Sequence, residues 1–324
     1  MLIDNKNIEN YFISIQKELP FSCSFVNASP VTEHSYVNNV YKITVDVNNK
    51  NQDIYLRQAL DHIKAQPELK VPPQRIFYEG KILNKLNSIF ENEVVPKVLY
   101  TDKENCLLVL HDIRRGADVL VDQLDKGILN IKVARSIGSI LGELHGKTWN
   151  AQCEDFFSSK EMNERNKDLH YHNRLKEAKA EFPDIISRLV EDGKKDNAFV
   201  IGDFISKNII VEGDNIRFLD LERSFIGDPL FDIGFLLCHY EIAVCNNIEL
   251  QADFDEFKKL LLEIYFEELD KYGVNYDKKS FKDRIDKYIG ATIFYRLYDK
   301  SKSGVIKETA KDLLREKAVK YLKI

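Results

Sequence analysis

No stretch of this 324-residue sequence approaches the ~18 uninterrupted apolar residues that a membrane-crossing helix needs, so no membrane partner is expected. Its opening, MLIDNKNIEN, lacks the basic-then-apolar order of a secretory signal, and a cytoplasmic location is expected. The five cysteines, Cys23, Cys106, Cys153, Cys238 and Cys245, never form a C-x-x-C pair. Their scatter and odd number argue against a disulfide framework or a zinc site and predict buried thiols. There is no excess of basic charge: 47 Lys+Arg against 52 Asp+Glu leave a net charge of −5. The concentrated positive surface that phosphate backbones require is missing, so no nucleic-acid partner is expected. Glycine is absent until Gly80, which excludes a glycine-rich phosphate loop from the first quarter of the chain. No internal repeat or low-complexity tract occurs, and solenoid or fibrous roles lose support with it. What remains is 44% hydrophobic and 31% charged residues, the balance of a folded protein of one large or two smaller domains.

Hydrophobic periodicity divides the chain. Ile8, Tyr11, Phe12 and Ile15 share one helical face and predict an amphipathic first helix. From Ser22 to about Ala59, β-branched and aromatic runs (NNVYKITVDV, DIYLRQAL) flank the turn NNKNQD and predict antiparallel strands. A helix is expected after Pro72-Pro73, with Ile76, Ile82, Leu83 and Leu86 facing a core. VVPKVLYTD and NCLLVLHDI predict two more strands, ending at the polar stretch HDIRRGAD. The expected boundary falls there, giving a β-rich lobe over 1–112 and a helical lobe over 113–324. In the second lobe, segments near 129–149, 160–192, 229–246, 251–272, 278–299 and 303–323 carry helical spacing, and only 198–222 reads as strands. The charge runs EDGKKD and KDRIDK are expected to be solvated. The fold class is α+β.

Chemistry concentrates in FVIGDFISKNIIVEGDNIRFLDLERSFIGDPLFDIG, residues 199–234. NIIVE and NIRFLDLE, joined at Gly213-Asp214, predict a β-hairpin, because glycine permits the positive φ of such turns. A hairpin brings Asp203 and Asn208, before its first strand, beside Asp220 and Glu222, at the end of its second. Such a cluster of oxygen donors suits magnesium, which completes its shell with water and nucleotide phosphate oxygens. The expected reaction class is phosphoryl transfer.

The same residues resemble the aminoglycoside phosphotransferase and choline kinase group of small-molecule kinases. That group carries H-G-D-x-x-x-x-N and then an aspartate segment, standing here as I-G-D-F-I-S-K-N and L-D-L-E. The resemblance implies a two-lobed, protein-kinase-like fold, with ATP in a cleft and a hydroxyl of a small molecule as acceptor. It makes Asp203 the catalytic aspartate that positions the acceptor hydroxyl and takes its proton, and makes Asn208, Asp220 and Glu222 the magnesium ligands. GDPLFDIG resembles the group's G-D-P-x-x-D segment, which makes Asp232 a structural support for the catalytic loop. Further matches are Asn38 in SYVNNVYKI, RQAL after the next strand, R-x-x-x-E from Arg75 to Glu79, and LGELH ending at His145. Within the group, the motif order is most similar to that of methylthioribose kinase. The resemblance runs over about residues 30–300 and implies that Asn38, Arg57 and Glu79 serve the nucleotide, with adenine bonded to the hinge backbone at Leu110, His111 and Asp112. It also suggests a homodimer.

Three departures accompany these matches. The phosphate-covering loop falls at EHSYVNN without a glycine, leaving Ser35 and backbone amides to serve. The expected phosphate-gripping lysine is Arg57, longer and planar. The histidine before Gly-Asp is Ile201. Together they support a rival expectation, a catalytically silent kinase-like module that binds nucleotide or a partner. His145 is expected to be a packed core histidine. Arg296 falls where methylthioribose kinase contacts its acceptor sugar, so it is either an acceptor contact or a solvated helix-face residue.

Overall fold

The structure, a computed structural model, describes residues 1–324 apart from 33–36, 65, 158–159, 196, 299–304 and 324. Ser35 therefore lies outside the described residues. The chain divides into two compact units, Met1–Gly116 and Ala117–Ile324.

In the first unit, helix α1 (Ile8–Ile15) leads into strands β1 (Ser24–Pro30), β2 (Asn39–Val47) and β3 (Lys50–Gln58). A short pair, β4 (His62–Ile63) and β5 (Gln66–Lys70), precedes helix α2 (Arg75–Ile89), and β6 (Val98–Asp102) and β7 (Leu107–His111) follow. β1, β2, β3, β7 and β6, in that order, form one antiparallel sheet. Alternation along each strand gives the sheet two faces. Leu107 and Val109 join Ile43, Val45, Ile54 and Leu56 in a core closed by Phe12 and Ile15 of α1. Leu108 points the other way, where a Cβ on Gly80 of α2 would come within 3.2 Å of its side chain. Arg57 is paired directly with Leu108, so it shares that second face and reaches α2. α1 buries the four residues that the apolar stripe named, and α2 starts just after Pro72-Pro73.

The second unit opens with β8 (Asp118–Val119), α3 (Leu120–Asp125) and α4 (Val133–Lys147), followed by the single turn α5 (Cys153–Phe156). Helix α6 (Lys160–Asp168) runs into a π turn, Leu169–Asn173; α7 (Lys176–Glu181) and α8 (Pro183–Gly193) come next. β9 (Ala198–Val200), β10 (Ile209–Glu212), β11 (Asn215–Phe218) and β12 (Phe225–Gly227) precede α9 (Leu230–Asn246). α10 (Gln251–Lys271), α11 (Lys278–Tyr298) and α12 (Lys311–Lys323) complete the unit. β10 and β11 form the hairpin read from the sequence, with Ile209 opposite Phe218 and Gly213 at φ 61° in the turn. α9 is buried along nearly its whole length, which is why its letters are apolar all round.

Several expectations need correcting. Strand extends beyond 198–222, because β8 pairs with β10 and β12 pairs with β9. Bridges of two or three residues are too short to carry a periodic signal. The helix expected over 160–192 is broken: a π turn ends α6, and Pro183, which lacks an N–H, starts α8 afresh. KDRIDK is not wholly solvated. Arg284 is 5% exposed and donates through Nη1 to the carbonyl of Asp192 at 2.8 Å, satisfying the C-terminal end of α8. Of the thiols, only Cys238 and Cys245 are buried. No helix among the described residues is long and apolar enough to cross a membrane.

Candidate functional site

β9 delivers the chain into the loop Ile201-Gly202-Asp203, and α9 holds that loop from below. Asp232, in the first turn of α9, accepts from the backbone N–H of Ile201 at 2.7 Å and of Gly202 at 2.8 Å. Ser224 Oγ donates to the Ile201 carbonyl at 3.2 Å. Gly202 has φ 80°, and a Cβ there would lie 2.6 Å from the Arg223 carbonyl oxygen. Only glycine fits this turn. Asp232 is fully buried, with His145 Nε2 3.5 Å from its Oδ2 and His145 Nδ1 3.0 Å from the Tyr265 hydroxyl. His145 is thus a core histidine, packed against the aspartate that braces the loop.

Past Asp203 the chain makes a tight turn, with Ile205 N–H donating to the Asp203 carbonyl at 2.9 Å. Asn208 closes it, its Nδ2 donating to the same carbonyl at 2.9 Å, so the amide oxygen is the end that can accept or ligate. Leu219 N–H donates to the Asn208 carbonyl at 2.9 Å, extending the hairpin ladder by one rung. Asp220 follows immediately, at φ 63°, in a conformation costly for a residue with a side chain. Glu222 is 4% exposed, and the Arg223 guanidinium lies 3.7 Å from its carboxylate. The hairpin therefore brings Asn208 beside the segment that bears Asp220 and Glu222. All three offer oxygen, the donor set magnesium takes. Among the described residues there is no cluster of three His, Cys, Asp or Glu placed to hold a metal, so protein carboxylates alone do not make a complete cage.

A further group of side chains was not legible in the sequence. α6 and its π turn send Asn163, Asn166, His170, Tyr171 and Arg174 onto this loop system. Asn163 Oδ1 accepts from Ile226 N–H at 2.8 Å, and Asn166 Nδ2 donates to the carbonyls of Glu222 and Ser224 at 3.1 and 2.9 Å. His170 Nε2 lies 3.2 Å from the Arg223 carbonyl and against Gly202. Tyr171 Oη accepts from Asp228 N–H at 2.9 Å. Arg174 donates through Nη1 to the Gly202 carbonyl at 3.0 Å and through Nη2 to Asp203 Oδ1. An imidazole therefore does sit beside Gly-Asp, supplied by His170 rather than by residue 201. Burial pushes the Asp203 carboxyl up, but the Arg174, Lys207 and Arg223 charges outweigh it and hold the group well below the usual carboxylate range. Polar letters on a helix read as a solvated face, which hid this set.

Arg296, on α11, is 5% exposed, so the solvated-face alternative does not hold. It bears on His239, whose pKa is depressed by burial and then by the Arg296, Lys207 and Arg174 charges. His239 Nδ1 is 3.0 Å from Ser206 Oγ in the Asp203 loop. On the outer side of α6, a cavity of about 570 Å³ is lined by Glu161, Glu164, Arg165, Asp168, Leu169, Asn173 and Arg223.

In the first unit the expected nucleotide residues form two local pairs. Arg57 Nη1 donates to Glu79 Oε1 at 2.8 Å, and the two side chains are 13% and 1% exposed, so this is a half-buried pair rather than a surface one. Asn38 is buried and accepts from Arg75 Nη2 at 2.8 Å. Leu110 and His111 end β7, and His111 N–H donates to the Lys97 carbonyl at 3.0 Å. Asp112 Oδ1 accepts from the N–H groups of Arg114 at 2.8 Å and Arg115 at 3.3 Å, capping the turn that follows.

The sequence profile of the Phosphotransferase enzyme family (APH) matches residues 47–262. No curated protein sequence matches significantly. Among solved structures, the fold is similar to that of a choline kinase from Cryptosporidium parvum Iowa II, at 14% identity and TM-score 0.60 over 97% of this chain and 94% of that one. It is also similar to that of an amicoumacin kinase solved with AMP-PNP, Ca2+ and Ami, at 13% identity and TM-score 0.58 over 98% and 93% of the two chains. A third likeness is to the aminoglycoside phosphotransferase APH(4)-Ia, at 12% identity and TM-score 0.51 over 99% of both chains.

Proposed function

Because the chain belongs to the Phosphotransferase enzyme family, we propose that it moves the γ-phosphoryl group of ATP to a hydroxyl of a small molecule, with Asp203 accepting the hydroxyl proton. The observation that carries this reading is the Asp203 loop itself. Its backbone is pinned by Asp232 and Ser224, and its carboxylate is kept ionised by the cations around it. A rigid, charged acceptor of protons is what orienting a hydroxyl for in-line attack requires. Asn208, Asp220 and Glu222 would hold magnesium. When bound there, magnesium supplies charge neutralisation at the phosphate oxygens. Arg57, held by Glu79, would contact the nucleotide phosphates, with Asn38 as a further nucleotide-binding residue and the backbone of Leu110, His111 and Asp112 meeting adenine.

The acceptor in this reading is a sugar such as methylthioribose, an amino alcohol or an aminoglycoside, the cationic ones calling for an acidic rim that carboxylates of the helical unit would supply. The test is magnesium-dependent ADP release across a panel of hydroxylated amines and sugars, choline and methylthioribose included, for wild type and Asp203→Asn. One acceptor should give turnover that Asp203→Asn lowers by at least about a hundredfold. An Asp203→Asn protein as fast as wild type would refute the assignment.

A further inference from the structure

Arg174 meets the loop in a way that packing alone does not require. Its guanidinium spans two consecutive residues, bonding the Gly202 carbonyl at 3.0 Å and one oxygen of the Asp203 carboxylate. The group itself lies over two rings, its Cζ 4.6 Å from the Phe235 ring centroid and 5.8 Å from that of Tyr295. The segment carrying it is fixed to the neighbouring Glu222–Ser224 backbone by Asn166 and set against the Arg223 carbonyl by His170. A π turn, closed by Arg174 N–H donating to the Leu169 carbonyl at 3.2 Å, sets the phase at which Arg174 leaves the helix. The Asp203 side chain still keeps 14% exposure.

We propose that Arg174 is a positioning residue for phosphoryl transfer: it occupies Oδ1 of Asp203 and so presents Oδ2 to the acceptor hydroxyl. This rests on the transfer reading above. In the step, the acceptor oxygen bonds to the γ-phosphorus and the bond from that phosphorus to the β,γ-bridging oxygen breaks. ADP leaves with that bond's electron pair, and the hydroxyl proton passes to Asp203 Oδ2. A carboxylate free to rotate would offer either oxygen at a range of angles, and such misplacement costs rate far more than binding. Lysine at 174 would keep the charge but lose the planar fork that bridges Gly202 and Asp203 while stacking on Phe235.

The probe is ADP release from magnesium-ATP with water as acceptor, measured on the full chain, with far-UV circular dichroism to confirm folding of each variant. Arg174→Gln should lower kcat about tenfold to a hundredfold and leave KM for ATP within about twofold, and Arg174→Lys should recover part of the loss. If Arg174→Gln does not fold, the charge-retaining Arg174→Lys carries the measurement on its own. In an Asp203→Asn background, Arg174→Gln should cost nothing further, because its effect runs through that carboxylate. Equal kcat in Arg174→Gln and wild type, or losses that multiply with Asp203→Asn, would overturn the positioning role while leaving the transfer reading in place. A wild type no faster than Asp203→Asn, with water and with every acceptor of the panel above, would overturn the transfer reading and this assignment with it.

Discussion

At the scale of single residues, the site is made of polar groups taken out of water and satisfied one by one. Ile201 stands before Gly-Asp, where the motif resemblance leads one to expect histidine, and it suits its place: it is fully buried, with its N–H given to Asp232 and its carbonyl to Ser224. His170 fills the space beside Gly202 instead. Such burial has a consequence for stability. The pKa of His170 is depressed by burial and then by Arg174 and Arg223, and that of His239 by burial and then by Arg296, Lys207 and Arg174. Both stay neutral when folded, whereas the unfolded chain protonates them near pH 6.5. The unfolded state then binds more protons, so the stability they allow is complete above about pH 6.5 and is lost as pH falls below it. We expect each histidine to contribute a loss of roughly 1 kcal/mol between pH 6.5 and 5.5, read from urea midpoints. His239→Gln should flatten that decline by about one proton's worth; an unchanged slope would show that His239 takes up a proton while folded.

Between elements, close approach decides what the site can rest on. α4 and α10 cross through a glycine stripe, where a Cβ on Gly138 would come 2.6 Å from the Leu261 carbonyl oxygen and one on Gly142 would come 2.4 Å from Glu268 Cβ. The same α4 carries His145 against Asp232, so the crossing sets the floor beneath the Asp203 loop. Alanine is the better helix former by about 1 kcal/mol, yet overpacking typically costs about 1–3 kcal/mol. Gly142→Ala is therefore expected to destabilise the chain by about 1–2 kcal/mol in urea unfolding, and to slow ADP release as α4 shifts. A stabilised Gly142→Ala protein would mean that the two helices separate at little cost. The π turn after α6 is the other decisive element, because it keeps His170 and Arg174 on the loop that Asn166 of α6 already serves.

For the whole molecule, the transfer reading predicts that nucleotide and metal stabilise the chain together. At about a hundred times its Kd, a ligand adds about 2.7 kcal/mol, which for domains of this size raises Tm by about 5 °C or more. Magnesium-ATP should produce that rise in a thermal scan, ATP with chelator or magnesium alone much less, and Asp220→Asn should remove most of the difference. Equal shifts for ATP with and without magnesium would remove Asp220 from the metal site. The α+β division, the stripe on α1, the start of α2 and the β10–β11 hairpin were legible in the letters, because each depends on neighbours a few residues apart through periodicity, proline or a turn glycine. So was the order of Asp203, Asn208, Asp220, Glu222 and Asp232, which lies within a single stretch of chain. The clamp of Asn166, His170 and Arg174 was not: it comes from a segment some thirty residues before the loop, and its letters are those of a solvated helix. The burial of Arg75, Arg284 and Arg296 was equally hidden, since a charged side chain goes inside only where a distant carbonyl, carboxylate or ring is waiting. Local order could be read residue by residue, whereas which polar groups leave water depended on contacts between segments far apart in the chain.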